Sequence, residues 1–225
     1  MLNQFLFGIY PYIAAVIFLF GSLARFEREQ YTWKADSSQM LHRGNLRLGS
    51  ILFHIGILGL FFGHLAGLLT PVAVWDWLGV EHGTKQAVAM IAGGVMGTIT
   101  LIGLLILVHR RITNARVSAV TRTGDKVLLV WILVTLLLGL STIRASADHM
   151  DGHMMLQLMT WAQHVVTFQG DAAQYVAAAP LVFRMHLFMG MSLFVIFPFT
   201  RLVHVWSGFA SVTYLSRAWQ LVRPR

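Results

Sequence analysis

The sequence predicts an all-α integral membrane protein, one domain over residues 1–225, built as a five-transmembrane-helix bundle with its N-terminus outside and its C-terminus in the cytoplasm. Three observations carry this. The chain of 225 residues is 56% hydrophobic and only 12% charged. Its apolar residues fall in blocks near or above the roughly 20 needed to cross a bilayer. The blocks are continuous, whereas barrel strands would read as about ten alternating residues. Lipid cannot satisfy a free backbone donor or acceptor, so blocks of this length form helices.

The first span is expected at 5–24. Positive charge follows this apolar run instead of preceding it, so it reads as a retained helix and not as a signal peptide. The second, at 48–70, contains FHIGILGLFFGH, and the third, at 86–108, contains Gly93, Gly94 and Gly97, small residues that suit helix packing. The fourth is expected at 125–143, and the fifth at 181–205 with Pro198 inside it.

Orientation follows from the connections. Arg25, Arg28, Lys34, Arg43 and Arg47 follow the first span, Arg110, Arg111, Arg116, Arg122 and Lys126 follow the third, and Arg217, Arg223 and Arg225 lie in the tail, 206–225. The N-terminus has no Lys or Arg before the first span, the second connection has Lys85 at its end, and the fourth has Arg144. The positive-inside rule then gives the stated topology in the cytoplasmic (inner) membrane, crossed several times. The formal charge of +8 collects in the cytoplasmic loops, facing anionic lipid or a partner subunit, and requires no nucleic acid. With no cysteine, disulfides, iron–sulfur ligation and covalent haem attachment are excluded.

Ten histidines are present. His42, His82, His109, His149, His153 and His164 fall in connections or at span edges, where a solvated or interfacial side chain is the ordinary reading. His149 and His153, in HMDGH, have helical spacing and are a weak metal candidate. His54 and His64 in the second span and His186 and His204 in the fifth lie in apolar surroundings. An intramembrane imidazole is costly unless its nitrogens find partners, so each marks a functional position.

The ten residues from His54 to His64 correspond to about 15 Å of rise and about 80° of rotation, so one broad helix face presents both at different depths. The eighteen from His186 to His204 are five whole turns and about 27 Å, again on one face. Because the two spans run in opposite directions, the pairing is nested, His54 with His204 near the cytoplasm and His64 with His186 near the outer surface. Each pair can clamp one iron porphyrin between two helices. The rises differ by about 12 Å, and tilt together with a kink at Pro198 each absorbs part of that.

Gly56, Gly59, Gly63 and Gly67 form a small-residue stripe roughly opposite His54, read mainly as helix packing, with Gly63 also leaving room beside His64 for a porphyrin or quinone ring. The nine carboxylates lie in connections or, like Asp125, at a span edge, unlike a cation or proton path. Nucleophile elbows and phosphate loops are absent. A chain without a catalytic constellation of its own passes electrons and takes its chemistry from cofactors. Two rivals stand beside that reading: a non-redox anchor with histidines as interhelical glue, and a transporter with histidines as transient ligands.

The stretches FGIYPYIAAVIFLFGSLARF, QYTWKADSSQML, FHIGILGLFFGHLAGLLTP, KQAVAMIAGG, TWAQHVVTF, FRMHLFMGMSLFVIFPFTRLVHVWS and YLSRAWQLVR resemble the membrane gamma subunit of respiratory nitrate reductase, from near the N-terminus to the tail. The segment VAVWDWLGVEHGTK departs from the family pattern by a local insertion.

The resemblance implies a cytochrome b with two haem b groups that oxidises quinol near the outer face. Electrons then pass inward to an iron–sulfur beta subunit and a molybdenum-containing alpha subunit, where nitrate is reduced. It implies that His54 and His204 ligate the cytoplasmic-side haem iron, that His64 and His186 ligate the outer-side haem iron, and that quinol sits beside Gly63, His64 and Lys85. Lys85 can offer a charged hydrogen bond to a quinone oxygen, its alternative being a snorkelling lysine that anchors a helix end. Arg184 and Arg201 are candidate partners of haem propionates, with interfacial anchoring as the alternative. QYTWKADSSQMLHRGN and the tail WSGFASVTYLSRAWQLVRPR are the expected docking surfaces. Another quinone-linked dihaem cytochrome b would share the four histidines and serve a different acceptor.

Overall fold

The computed structural model describes residues 1–29, 32–33, 45–148 and 150–207. Among the described residues, five helices are long and apolar enough to cross a membrane: Leu2–Arg28, Leu46–Leu69, His82–Thr113, Thr123–Ala147 and Leu181–Phe199. Each overlaps a span read from the sequence. Most of the QYTWKADSSQMLHRGN stretch, His42, His149 and the tail from 208 onward lie outside the described residues.

Helix α1 is Tyr10–Arg28, preceded without interruption by the turns Leu2–Gln4 and Phe5–Ile9. Helix α2 is Leu46–Leu69, stopped by Pro71, which holds the preceding Thr70 extended. A short helix α3, Val72–Trp77, leads to α4, His82–Thr113, whose 32 residues give a length of about 48 Å. That exceeds the hydrocarbon layer, so its last turn carries Arg110 and Arg111 beyond the apolar stretch. A single turn α5, Ala115–Ala119, precedes α6, Thr123–Ala147.

The fourth connection holds a helix not expected from the sequence: α7, His153–Val166, followed by the turn α8, Gln174–Ala177. It is amphipathic, burying Met159, Trp161 and Ala162, and Trp161 Nε1 donates to the carbonyl of Phe7 at 2.9 Å. With Phe7, Ala14, Val176, Phe183 and Met191, Trp161 and Ala162 form one of two apolar cores among the described residues. The other joins Leu104 of α4 to Leu128, Ile132 and Leu136 of α6.

The fifth span is not one helix. Helix α9 runs Leu181–Ile196 and gives way to two tight turns, Phe197–Phe199 and Arg201–Val203. Pro198 has no N–H for the helical ladder, and Thr200 is fully extended (φ −123°, ψ 179°). The expectation of five regular turns from His186 to His204 is therefore corrected. The last residues leave the helix axis, so the rise computed for a continuous helix does not apply to them.

Helix α2 sits against α4 and α7. It packs closely against α4, through glycines: a Cβ on Gly56 would stand 2.6 Å from the backbone nitrogen of Thr100 and 2.7 Å from the carbonyl of Met96. Helix α9 packs on α6 and α1, whereas between α2 and α9 direct contact is at most sparse.

Candidate functional site

All four apolar-span histidines are held in the same way at one nitrogen. His54 Nδ1 lies 2.7 Å from the carbonyl of Ser50, His64 Nδ1 2.7 Å from that of Leu60, and His204 Nδ1 2.6 Å from that of Arg201. Each is a carbonyl three or four residues earlier on the same stretch of chain. His186 Nδ1 instead reaches the carbonyl of Thr135 on α6, at 3.0 Å. A carbonyl only accepts, so each ring places a proton on Nδ1, and the neutral ring then keeps its lone pair on Nε2. That is the tautomer a metal ligand needs, with the outer hydrogen bond fixing the ring.

The rings meet in the nested pairs. His54 and His204 have centroids 6.3 Å apart, and His64 and His186 have centroids 6.0 Å apart. A metal bound at about 2 Å to each nitrogen, with each ring centre about 1 Å behind its nitrogen, separates two opposed imidazoles by about 6 Å. The partners come from α2 and from α9 with its continuation, the two elements with little direct contact. His54 and His64 on α2 are exposed, while His186 and His204 are half-buried. Among the described residues no group of three or more His, Asp or Glu side chains gathers.

Two residues beyond the sequence-predicted set shape the His186 side. Thr135 supplies the carbonyl, and a Cβ on Gly139 would stand 2.8 Å from His186 Cε1. The imidazole thus lies against the bare backbone of α6. The only sequence signal was a lone glycine in the apolar run LLLGLSTIR, which does not by itself name its neighbour.

Lys85 is buried, at 6% exposure, and turned inward. Its Nζ donates to the carbonyl of Gly67 at 3.0 Å, lies 2.6 Å from Met159 Sδ and sits 4.3 Å from the centroid of the Trp75 ring. The alternative of a snorkelling anchor does not describe this geometry. Gly67 is one helical turn beyond Gly63 and His64, so Lys85 reaches the end of α2 that carries both. A Cβ on Gly63 or on Gly67 would meet nothing within 4 Å, so there the stripe is open and not packed. Gly56 and Gly59, by contrast, press on Thr100 and Met96 of α4.

The arginines differ from each other. Arg184 lies in the first turn of α9, with a buried Nε that has no hydrogen-bond partner. Arg201 Nε lies 3.5 Å from Asp125, which also faces Arg111 at 3.9 Å. Of the connection histidines, His164 contacts Asp171 at 2.7 Å and His82 faces Asp76 at 3.8 Å. Asp151 caps the backbone N–H of His153, so the HMDGH loop has a local structural use for its carboxylate.

The family model described as nitrate reductase gamma subunit matches residues 3–225. The chain is 51% identical to respiratory nitrate reductase 1 gamma chain of Escherichia coli (strain K12), over 100% of this chain and 98% of that one. It is 34% identical to nitrate reductase gamma chain of Bacillus subtilis (strain 168), over the whole of both. With the match extending to its last residue, the chain belongs to the nitrate reductase gamma subunit family.

Proposed function

We propose that the chain is the quinol-oxidising, dihaem cytochrome b subunit of a respiratory nitrate reductase. It carries electrons from membrane quinol toward an iron–sulfur beta subunit and a molybdenum-containing alpha subunit on the cytoplasmic side. The observation that carries the reading is the pair of histidine pairs, at 6.3 and 6.0 Å, drawn from two elements that otherwise barely touch.

The residues fit haem b. Four imidazoles with Nδ1 engaged leave Nε2 to act as the donor. The sparse direct contact between α2 and α9 suits a macrocycle held between them, and the buried, unpartnered Nε of Arg184 suits a propionate. Haem, when bound, supplies one-electron transfer.

The chain's own residues do the rest. His54 and His204 hold the cytoplasmic-side group, and His64 and His186 the outer-side one, with the N-terminus outside and the C-terminus in the cytoplasm as the basic connections direct. Lys85 orients quinol, its ammonium donating to a quinone oxygen in place of Gly67, while Gly63 leaves room for the ring beside His64. Quinol oxidised there releases its protons at the outer side, so charge separates by geometry.

A reduced-minus-oxidised visible spectrum of the purified subunit, with haem quantified per chain, tests the reading on the wild type, His54→Ala and His186→Ala. Two b-type haems in the wild type, with one lost in each variant, support it. A colourless, correctly assembled wild type would leave the anchor, and metal-dependent uptake the transporter. Haem with no nitrate-linked oxidation would leave a cytochrome of another quinone-linked enzyme.

A further inference from the structure

The break in the fifth span is held from the first. Pro198 and the extended Thr200 take their carbonyls out of the helical ladder. One side chain receives both. Arg25 Nη1 donates to Pro198 O at 2.7 Å and to Thr200 O at 2.8 Å, and its Nη2 donates to Thr32 O at 2.9 Å.

The neighbouring face of α1 is shaped for the same segment. A Cβ on Gly21 would stand 2.8 Å from Pro198 Cγ, so only a glycine lets the proline ring approach. Phe18 packs edge-on to Phe197 at 4.8 Å and stacks on Trp206 at 5.3 Å, and Trp206 Nε1 donates to Ser22 at 3.3 Å. Phe18, Gly21, Ser22 and Arg25 fall at helical steps of three and four, one stripe of α1. The stripe grips the chain on both sides of His204, and His204 Nδ1 is fixed within the gripped segment, on Arg201 O at 2.6 Å.

We propose that Arg25 is a positioning residue for His204. By satisfying both freed carbonyls it sets the angle of the broken segment, and that angle brings His204 within reach of His54. The role suits arginine, whose planar fork serves several acceptors while its charge persists; a lysine offers a compact ammonium on a flexible stem. Arg25 touches neither imidazole. The inference rests on the reading of His54 and His204 as an axial pair.

The test uses membranes carrying the full chain with its partner subunits, and reads the two haems separately by electron paramagnetic resonance and redox titration. His54→Ala and His186→Ala identify which signal belongs to which pair. Arg25→Gln is expected to shift the low-spin signal and midpoint potential of the His54–His204 haem and to weaken its retention by about ten- to a hundredfold, the usual effect of losing an outer support. The His64–His186 signal stays at its wild-type position. Arg25→Lys restores part of the shift. Gly21→Ala, which keeps the hydrogen bonds and presses on Pro198, gives the same selective shift in milder form, and it decides the matter if Arg25→Gln fails to accumulate.

An unshifted His54–His204 signal in Arg25→Gln or in Gly21→Ala overturns the proposal, as does equal loss of both haems. Absence of haem from the wild type would overturn the axial-pair reading itself, a result separate from these.

Discussion

His186 donates from Nδ1 to the carbonyl of Thr135 across 3.0 Å, from one helix to another, whereas His54, His64 and His204 each donate to a carbonyl of their own stretch of chain. One ring of four is therefore oriented by tertiary structure. Its seat is α6, where Gly139 removes the side chain that would occupy the ring's place.

Gly139→Leu is expected to displace His186, because a Cβ there already stands 2.8 Å from Cε1 and a longer side chain has no room to turn aside. The outer-side haem should be lost or bound about ten- to a hundredfold more weakly, with the cytoplasmic-side haem retained. Haem per chain and reduced-minus-oxidised spectra check this. Full retention of both haems would show that the ring does not need that seat.

Lys85→Ala should lower quinol-dependent kcat/KM by about ten- to a hundredfold while both haems remain, the scale of a lost hydrogen bond to a charged group. Steady-state oxidation of a soluble quinol analogue measures it. Unchanged turnover would remove Lys85 from the site and leave its buried amine as a structural tie to Gly67.

Two glycines of one stripe should behave oppositely. Gly56→Ala puts a methyl against the backbone of Thr100 and Met96, which cannot move aside cheaply, and should destabilise the subunit by about 1–3 kcal/mol. Gly63→Ala meets nothing within 4 Å and should leave thermal stability unchanged while altering quinol kinetics. Melting curves of the two variants in the same detergent, beside turnover, separate the effects.

Depleting haem should lower thermal stability and increase proteolysis, since a ligand that binds only the folded state stabilises it by mass action. Helices α2 and α9, with little direct contact of their own, would lose the bridge that the proposed haem groups supply. A thermal shift series with added hemin should recover the loss; identical melting with and without haem would contradict it.

The five spans were legible because lipid imposes length and continuity on apolar blocks, and the four histidines because imidazoles are conspicuous in them. The nested partners His54–His204 and His64–His186 followed from antiparallel direction alone. Helix α7 was not legible by that route: its apolar positions, Met159 and Ala162 among them, repeat at helical spacing but share the segment with polar residues, so no block of spanning length forms. The break after Ile196 was only half-legible. Pro198 announced a kink, but the extended backbone at Thr200 depends on acceptors satisfied from Arg25, a partner 173 residues away in sequence from Pro198. Gly139 and Thr135 were out of reach for a related reason, since a bare stretch of helix shows its purpose only once the ring that lies on it is known.

Helix α2 buries only Gly49 and Gly56, although it bears His54, His64 and Gly63. Folding and activity are thus written in different letters of one helix. A saturation mutagenesis survey of residues 46–69, scored in parallel for protein abundance and for growth on nitrate, should fall into two nearly disjoint groups. Substitutions at the buried glycines deplete the protein and lose growth in proportion, while substitutions at the histidines lose growth far beyond the milder fall in abundance that haem loss brings.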